Sequence, residues 1–277
     1  MRAYLREFLS DPRVVELPRF LWLPILHGIV LRTRPAKSAE KYRQIWTAQG
    51  SPLALHTARQ ARLLSARYAM RYGAPSVGSV LREMKDPVVV PLYPQYSRST
   101  TESVVDVLPP GTPVVRDFHD DAGYVRALAA SVRAHWAEHG QAEKLVMSFH
   151  GLPQRAVDRG DPYQKQCLRT AELLAGALGL PASRYLVTFQ SRFGAAKWLQ
   201  PYTEPTLVDL ARAGTRRVDV MCPGFVSDCL ETLEEIDITA REAFLRAGGE
   251  QFRYIPCLNE LPEWIEALAA ISARAAP

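Results

Sequence analysis

The chain has 277 residues, of which 47% are apolar and 23% are charged. This length suits two average domains, and the composition, without a low-complexity tract or a repeat, excludes a largely disordered or solenoid chain. The net charge is +5, but basic residues are mixed with acidic ones and no nucleic-acid-binding motif accompanies them, so nucleic acid is not an expected partner.

The most apolar stretch comes early and spans residues 17–31. It is shorter than the roughly 20 residues that a membrane-spanning helix needs, and it contains Pro18, Pro24 and His27. We therefore do not expect it to cross a membrane. Its apolar side chains lie among arginines, and such a lip can admit an apolar ligand that carries carboxylates or rest on a bilayer surface.

Short apolar runs bounded by turn residues follow, a pattern typical of buried parallel strands. They span residues 88–92, 113–116, 144–149, 185–189, 217–221 and 252–255. Helical patterns lie around them, at residues 38–47, 53–66, 76–84, 122–138, 163–178, 204–213, 228–247 and 260–273. This alternation predicts an α/β fold of two lobes with parallel sheets flanked by helices, and ligand sites beyond the carboxyl ends of the strands.

Polar and aromatic residues follow four of the predicted strands, at residues 93–97, 150–153, 190–193 and 222–225. None of these loops is a glycine-rich phosphate-binding motif, so no nucleotide cofactor is expected.

His150 follows the apolar run 144–149 and precedes Gly151 and Pro153. A turn there exposes the imidazole in a cleft, where a histidine can accept a proton near neutral pH. From position alone, a structural histidine that binds a backbone carbonyl is the alternative. The other histidines are expected on the surface or in packing contacts, namely His27, His56, His119, His135 and His139.

Three acidic residues mark the helix predicted at residues 228–247. Asp228, Glu231 and Glu235 have the spacing i, i+3 and i+7, which places them on one helix face. A capping box and the helix dipole explain such acids equally well in structural terms. If they face a cleft that also holds a histidine, they suit the delivery of a divalent cation and the removal of protons.

Polar residues of the first 75 residues, including Lys41 and Tyr72, are candidates for holding carboxylate groups of a ligand, although each alone is typical of a solvated surface. The four cysteines, Cys167, Cys222, Cys229 and Cys257, contain no CxxC pair. Without a recognisable signal peptide, they predict small buried thiols in a reduced, cytoplasmic protein.

Taken together, several of these segments resemble the ferrochelatase family. They cover the chain in family order and lie at residues 4–15, 50–53, 70–73, 91–97, 148–153, 160–163, 188–192 and 223–235. The resemblance is to the proteobacterial members, which make protohaem in the cytoplasm and carry no iron–sulfur cluster. It implies a lyase that inserts Fe²⁺ into protoporphyrin IX and releases two protons, the terminal step of haem biosynthesis, with Fe²⁺ as a substrate and no prosthetic group.

The resemblance also implies a division into two Rossmann-like lobes around a porphyrin cleft. The first lobe covers residues 1–119, the second covers residues 120–259, and a C-terminal helix at 260–277 packs back on the first lobe. We expect a monomer whose residues 17–31 make peripheral contact with a membrane.

By motif, His150 and Glu231 match the catalytic and metal-binding residues of the family. Asp228 and Glu235 match a relay for protons or metal. The residues expected near the porphyrin are Arg32, Arg34, Tyr42, Ser51, Arg71, Tyr96, Gln190 and Ser191.

The sequence departs from the family pattern in the first lobe. The apolar strand that usually opens the fold is missing before Met1, and the lobe is shorter at three internal places. These departures keep two alternatives open: a truncated porphyrin- or metal-binding paralogue with weak activity, and a related chelatase for another tetrapyrrole.

Overall fold

A parallel sheet forms the centre of the protein. The structure is a computed structural model and describes residues 1–194 and 196–275. Its sheet contains β1 (Lys144–His150), β2 (Tyr185–Gln190), β3 (Arg217–Met221) and β4 (Gln251–Tyr254). The strand order is β2-β1-β3-β4, and every neighbouring pair is parallel. The predicted α/β class is confirmed, and the four strands predicted after residue 140 begin and end within one residue of the observed ones.

The helices of the described residues lie before, between and after these strands in the chain. They are α1 (Arg2–Leu9), α2 (Arg19–Ile25), α3 (Leu31–Ile45), α4 (Pro52–Leu63), α5 (Val77–Leu81), α6 (Thr101–Val105), α7 (Ala122–His139), α8 (Gln154–Asp158), α9 (Tyr163–Leu178), α10 (Thr203–Arg212), α11 (Arg241–Arg246) and α12 (Pro262–Arg274). Two π-helical segments, Leu26–Val30 and Glu231–Ala240, and a 3-10 turn, Ala182–Arg184, complete them. Each helix predicted from the sequence has a counterpart among these elements, whereas α1, α2, α6 and α8 were not predicted.

Side chains alternate across the sheet, as the two-residue period of a strand requires. Leu145, Met147 and Phe149 of β1 face the core shared with α7, α9 and α12. Val146 faces the opposite core, which is shared with α10, the second π-helical segment and α11. The second half of the chain therefore has helices on both faces of one sheet, and this sheet fixes the position of the loops that follow its strands.

The prediction of a second parallel sheet in the first lobe is wrong for the described residues. The runs 88–92 and 113–116 meet in one isolated bridge, Val89 with Val114, where Val89 N–H donates to the carbonyl of Pro113 at 2.9 Å. The next rung on either side needs an N–H from Pro91 or from Pro113, and proline has none. Prolines therefore stop this ladder after a single rung.

The C-terminal helix α12 packs mainly on α7, which lies in the range predicted for the second lobe. Gly123 permits this approach, because a Cβ at that position would lie 2.9 Å from the Cβ of Ala267. Trp264, fully buried, reaches residues before 120 through Phe118, at 5.7 Å between ring centroids. The helix thus contacts residues from both predicted lobes, and the predicted packing on the first lobe and the lobe boundary at 119/120 stay predictions.

The N-terminal helices form a small separate core. Leu5, Leu9, Leu26 and Leu31 are buried together there. The outer face of the same region exposes apolar side chains, among them Phe20, which is 76% exposed. Across residues 1–194 and 196–275, no helix combines the length and the hydropathy that membrane crossing requires.

Candidate active site

His150 is the last residue of β1, is half-buried and precedes the loop that follows the strand. Its Nδ1 is 2.7 Å from the carbonyl oxygen of Gly151. Because a carbonyl can only accept a hydrogen bond, Nδ1 carries the proton of the neutral ring and Nε2 keeps its lone pair. The carbonyl contact of a structural histidine is therefore present, and the same contact leaves Nε2 ready to accept a proton or bind a cation.

Gly151 makes the close approach of β1 and β2 possible. Its N–H donates to the carbonyl of Gln190 at 2.7 Å. A Cβ on residue 151 would lie 2.5 Å from that same oxygen, which is closer than any side chain tolerates. The glycine after His150 is thus fixed by the packing of the two strand ends.

Glu231 and Glu235 lie on the π-helical segment Glu231–Ala240, not on a regular α-helix as the sequence pattern predicted. Burial raises the pKa of Glu235, and Glu231 adds to the rise, while hydrogen bonds from Ser191 and the charge of His150 act in the opposite direction. Glu235 is therefore close enough to both His150 and Glu231 to interact with them electrostatically. We call these three residues the acid–histidine cluster.

Gln190 anchors the start of the π-helical segment. Its Nε2 donates to the backbone carbonyl of Glu231 at 2.7 Å, and its Oε1 accepts from Ser148 Oγ at 2.7 Å. The neighbouring Ser191, in the left-handed region with φ of 64°, donates its N–H to Glu235 Oε1 at 2.6 Å and its hydroxyl to Oε2. The end of β2 thus holds both glutamates through one amide and one serine.

Phenol groups surround Glu231 on the side of the first lobe. Burial, and then the charge of Glu231, raise the pKa of Tyr42 to about 12. The pKa values of Tyr4 and Tyr93 are raised by burial first, with Glu231 contributing. These phenols therefore stay protonated, and so uncharged, at neutral pH. Tyr4 and Tyr93 were not predicted as site residues, although Tyr93 begins one of the loops that follow predicted strands.

Asp228 lies outside the π-helical segment, so the prediction that it shares one helix face with Glu231 and Glu235 is wrong. Its Oδ1 accepts from Tyr254 at 2.6 Å and from Thr232 at 3.0 Å, and its Oδ2 accepts from Asn259 at 2.7 Å. Asp228 is 6% exposed. These contacts make it an anchor of the loop before the segment, and its predicted relay role stays a prediction.

Comparison with known proteins supplies the family. A sequence model of ferrochelatase matches residues 1–276. A ferrochelatase of an Azoarcus species is 58% identical over 292 aligned positions, which cover 97% of this chain and 80% of that protein. The ferrochelatase of Aromatoleum aromaticum is 57% identical, and the match covers 98% of this chain and 81% of that protein.

The chain belongs to the ferrochelatase family. It is therefore an enzyme of the metal-chelatase class, as predicted. Two solved structures share the fold at low identity. SirB from Bacillus subtilis has a TM-score of 0.54 at 13% identity, and the match covers 81% of this chain and 88% of SirB. CbiX, described as the terminal enzyme of sirohaem biosynthesis, has a TM-score of 0.52 at 17% identity, and the match covers 86% of this chain and 94% of CbiX. At this identity the likeness concerns the fold alone, and the ferrochelatase relatives give no support to the alternative functions.

The structure divides the predicted porphyrin residues of this ferrochelatase-family chain into two groups. Tyr42, Gln190 and Ser191 lie at the acid–histidine cluster, as described above. Arg34 reaches the same region from α3, with its guanidinium carbon 4.0 Å from the ring centre of Phe193, and burial lowers its pKa.

The remaining predicted residues lie apart from the cluster or show no contact with it. Arg71 pairs with Asp11 at 2.6 Å, and the Tyr96 hydroxyl donates to Glu102 at 2.7 Å. Arg32 is exposed, and Ser51 is the N-cap residue of α4 without a side-chain capping bond. Arg71 and Tyr96 thus have structural partners inside the first lobe, and the binding of porphyrin by these four residues stays a prediction.

Proposed function

We propose that the chain inserts Fe²⁺ into protoporphyrin IX and releases two protons to give protohaem, the terminal step of haem biosynthesis. The observation that carries the proposal is the acid–histidine cluster: an imidazole Nε2 with a free lone pair beside two carboxylates at the carboxyl ends of β1 and β2. Membership of the family supports the same substrates.

The chemistry of metal insertion requires a base and a cation site together. A free porphyrin carries two pyrrole N–H groups, and both protons leave as the ion enters the ring. His150 Nε2 is placed to take a proton, because the bond from Nδ1 to Gly151 fixes the tautomer. Glu231 supplies a carboxylate ligand for the incoming cation, and Glu235, with its raised pKa, is suited to pass protons outward.

The cleft also has to deform the flat macrocycle so that its nitrogen lone pairs point outward. Binding energy from the rest of the ring can offset that strain. Tyr42 and Arg34 on α3, opposite the strand ends, supply a wall for such a clamp. We assign them to the porphyrin on this basis.

We propose that the reaction needs no prosthetic group and no iron–sulfur cluster, because Fe²⁺ keeps its oxidation state throughout. Burial raises the pKa of all four cysteine thiols, which disfavours the thiolate form that iron–sulfur clusters require. A sample purified without iron should show no charge-transfer absorption from a cluster and should still insert metal.

We also propose a cytoplasmic monomer that touches the membrane surface through residues 17–31. Phe20 and Ile29 are 76% and 60% exposed in this region, with Arg19 and Arg32 nearby in sequence. Apolar side chains with a basic rim suit an anionic bilayer surface. Co-sedimentation with phosphatidylglycerol vesicles should be lost on Phe20→Ser with Ile29→Ser, and sedimentation velocity should give one species near 31.0 kDa.

Substrate choice provides the test of the proposed reaction. Fe²⁺, Co²⁺ and Zn²⁺ are each offered with protoporphyrin IX, coproporphyrin and sirohydrochlorin, under anaerobic conditions. We expect turnover with protoporphyrin IX and Fe²⁺. Turnover with sirohydrochlorin instead indicates a chelatase for another tetrapyrrole, and tight porphyrin binding without turnover indicates the truncated binding paralogue.

A further inference from the structure

One ion pair joins α3 to the π-helical segment Glu231–Ala240. Lys41 on α3 lies with its Nζ 2.8 Å from Glu234 Oε2 on the π-helical segment. The lysine side chain is 51% exposed, whereas the glutamate side chain is 7% exposed. The second oxygen of Glu234 accepts from Thr239 at 3.3 Å. The pair therefore combines a solvated cation with a buried anion, which distinguishes it from an ordinary surface ion pair.

The charges of the π-helical segment show why Glu234 needs this partner. Four acids lie on the segment, and Asp237 pairs with Arg241 four residues later. Glu234 pairs with Lys41. Glu231 and Glu235 have no lysine or arginine within salt-bridge distance in residues 1–194 and 196–275. The structure thus pairs the two acids outside the acid–histidine cluster with cationic side chains and does not do so for the two inside it.

Two other residues of α3 interact with the second half of the chain. Its neighbour Tyr42 interacts with Glu231, three residues before Glu234. Arg34, seven residues before Lys41, lies on the same face of the helix and contacts Phe193. Arg34, Lys41 and Tyr42 of α3 therefore all interact with the second half of the chain. The Lys41–Glu234 pair joins α3 to the π-helical segment through opposite charges.

A π-helical segment depends on its surroundings more than an α-helix does, because its geometry is rare in isolation. Within the cluster, each group has its own anchor: His150 is held by Gly151, Glu231 by Gln190 and Glu235 by Ser191. None of these anchors comes from the first lobe. The spacing between α3 and the segment consequently rests on the contacts of α3 itself, and Lys41–Glu234 is the ion pair among them in the described residues.

We propose that Lys41 is a positioning residue whose ion pair with Glu234 holds α3 at the distance from the π-helical segment that fits the porphyrin ring. This inference rests on the proposed function. Loss of the pair increases the distance between α3 and the π-helical segment, while the anchored cluster stays in place. Porphyrin binding therefore weakens, and the chemical step changes little.

Steady-state kinetics with protoporphyrin IX and Zn²⁺ tests the proposal in the full chain. For Lys41→Met and for Glu234→Gln we expect a KM for porphyrin that rises on the order of tenfold, with kcat lowered by less than about threefold. Lys41→Arg should keep the KM within about twofold, since it restores the charge. The charge-exchanged variant, Lys41→Glu with Glu234→Lys, should recover most of the loss.

Arg43→Met is the matched control, because Arg43 lies two residues after Lys41 on a different face of the same helix and, within the described residues, pairs only with the exposed Glu40 of that helix. It changes the net charge equally and should leave the KM unchanged. The proposal is overturned if Lys41→Met lowers kcat in proportion to its folded fraction at constant KM, or if Arg43→Met raises the KM as much. If the charge-exchanged variant does not fold, the comparison of the KM values of Lys41→Arg and Lys41→Met still tests the proposal.

The titration of porphyrin fluorescence without metal separates this inference from the proposed function. If the parent binds porphyrin and never inserts metal, the proposed function fails. The positioning role is then judged by the dissociation constant for porphyrin, which should rise by the same factor in Lys41→Met. An unchanged dissociation constant would overturn it.

Discussion

Replacing Gln190 by leucine should separate the position of Glu231 from the stability of the fold. Gln190 is 4% exposed, and leucine has a similar volume, so the change leaves no large cavity. Three hydrogen bonds are lost, one of them the weak bond from the Cys222 thiol at 3.6 Å. Ser148 keeps a partner in Thr203 at 2.8 Å, whereas the carbonyl of Glu231 loses the amide of Gln190.

The expected cost follows from that difference. One buried acceptor without a partner costs about 1–3 kcal/mol of unfolding free energy. For a chain of this size this corresponds to a decrease in Tm of about 3–10 °C. Since the lost bond is the one that fixes the start of the π-helical segment, we also expect kcat for metal insertion to fall at least about tenfold at a temperature where the variant is fully folded.

Ser148→Ala is the matched control. It removes a hydroxyl from the same network and lowers stability by a similar amount, but it leaves the bond from Gln190 to Glu231 in place. Thermal unfolding by circular dichroism and zinc insertion by fluorescence are measured on both variants. If Ser148→Ala loses as much kcat as Gln190→Leu at equal folded fraction, the anchoring of Glu231 by Gln190 is refuted.

Three further predictions concern the carboxylates of the second lobe. Burial holds the pKa of Glu235 above its ordinary value of 4.5. The folded protein therefore loses stability as pH rises above 4.5, and the loss is complete above the raised pKa. Glu235→Gln should gain stability over the parent in urea titrations at about pH 7 but not at about pH 4, while losing turnover. Asp228→Ala should lower the unfolding free energy by at least about 2 kcal/mol, because Tyr254 and Asn259 lose a charged acceptor; full stability with lost activity would instead support the relay role. Asp219→Asn leaves Arg253, 2.8 Å away and 12% exposed, without its anion. Chemical denaturation should show a free energy of unfolding lower by about 3–5 kcal/mol, and kcat of the folded enzyme should be unchanged.

The sheet of the second lobe could be predicted from the sequence because its strands are continuous apolar runs with helices between them. The two runs of the first lobe have the same apolar character, yet they pair at a single rung. The difference lies in Pro91 and Pro113, which remove the N–H groups of the next rungs. A check on the prolines within each run would have found this from the sequence.

The site was predicted in part. The position of His150 after β1 follows from the pattern, and its tautomer does not, because that depends on the carbonyl of Gly151. Spacing alone assumed an α-helix from residue 228, so it misplaced Asp228 and could not show the π-helical geometry of Glu231 and Glu235. The charge partner of Glu234 lies 193 residues away in sequence, and no local pattern predicts such a pair.

The most direct test of the acid–histidine cluster is the loss of porphyrin fluorescence when anaerobic Fe²⁺ or Zn²⁺ is added to the purified 277-residue chain, beside His150→Ala and Glu231→Gln. Arg43→Met and a sample without enzyme serve as controls. We predict that the parent inserts metal and that both cluster variants lose at least about a hundredfold in kcat while still binding porphyrin. Turnover of His150→Ala at the rate of the parent would contradict the role of this cluster in metal insertion.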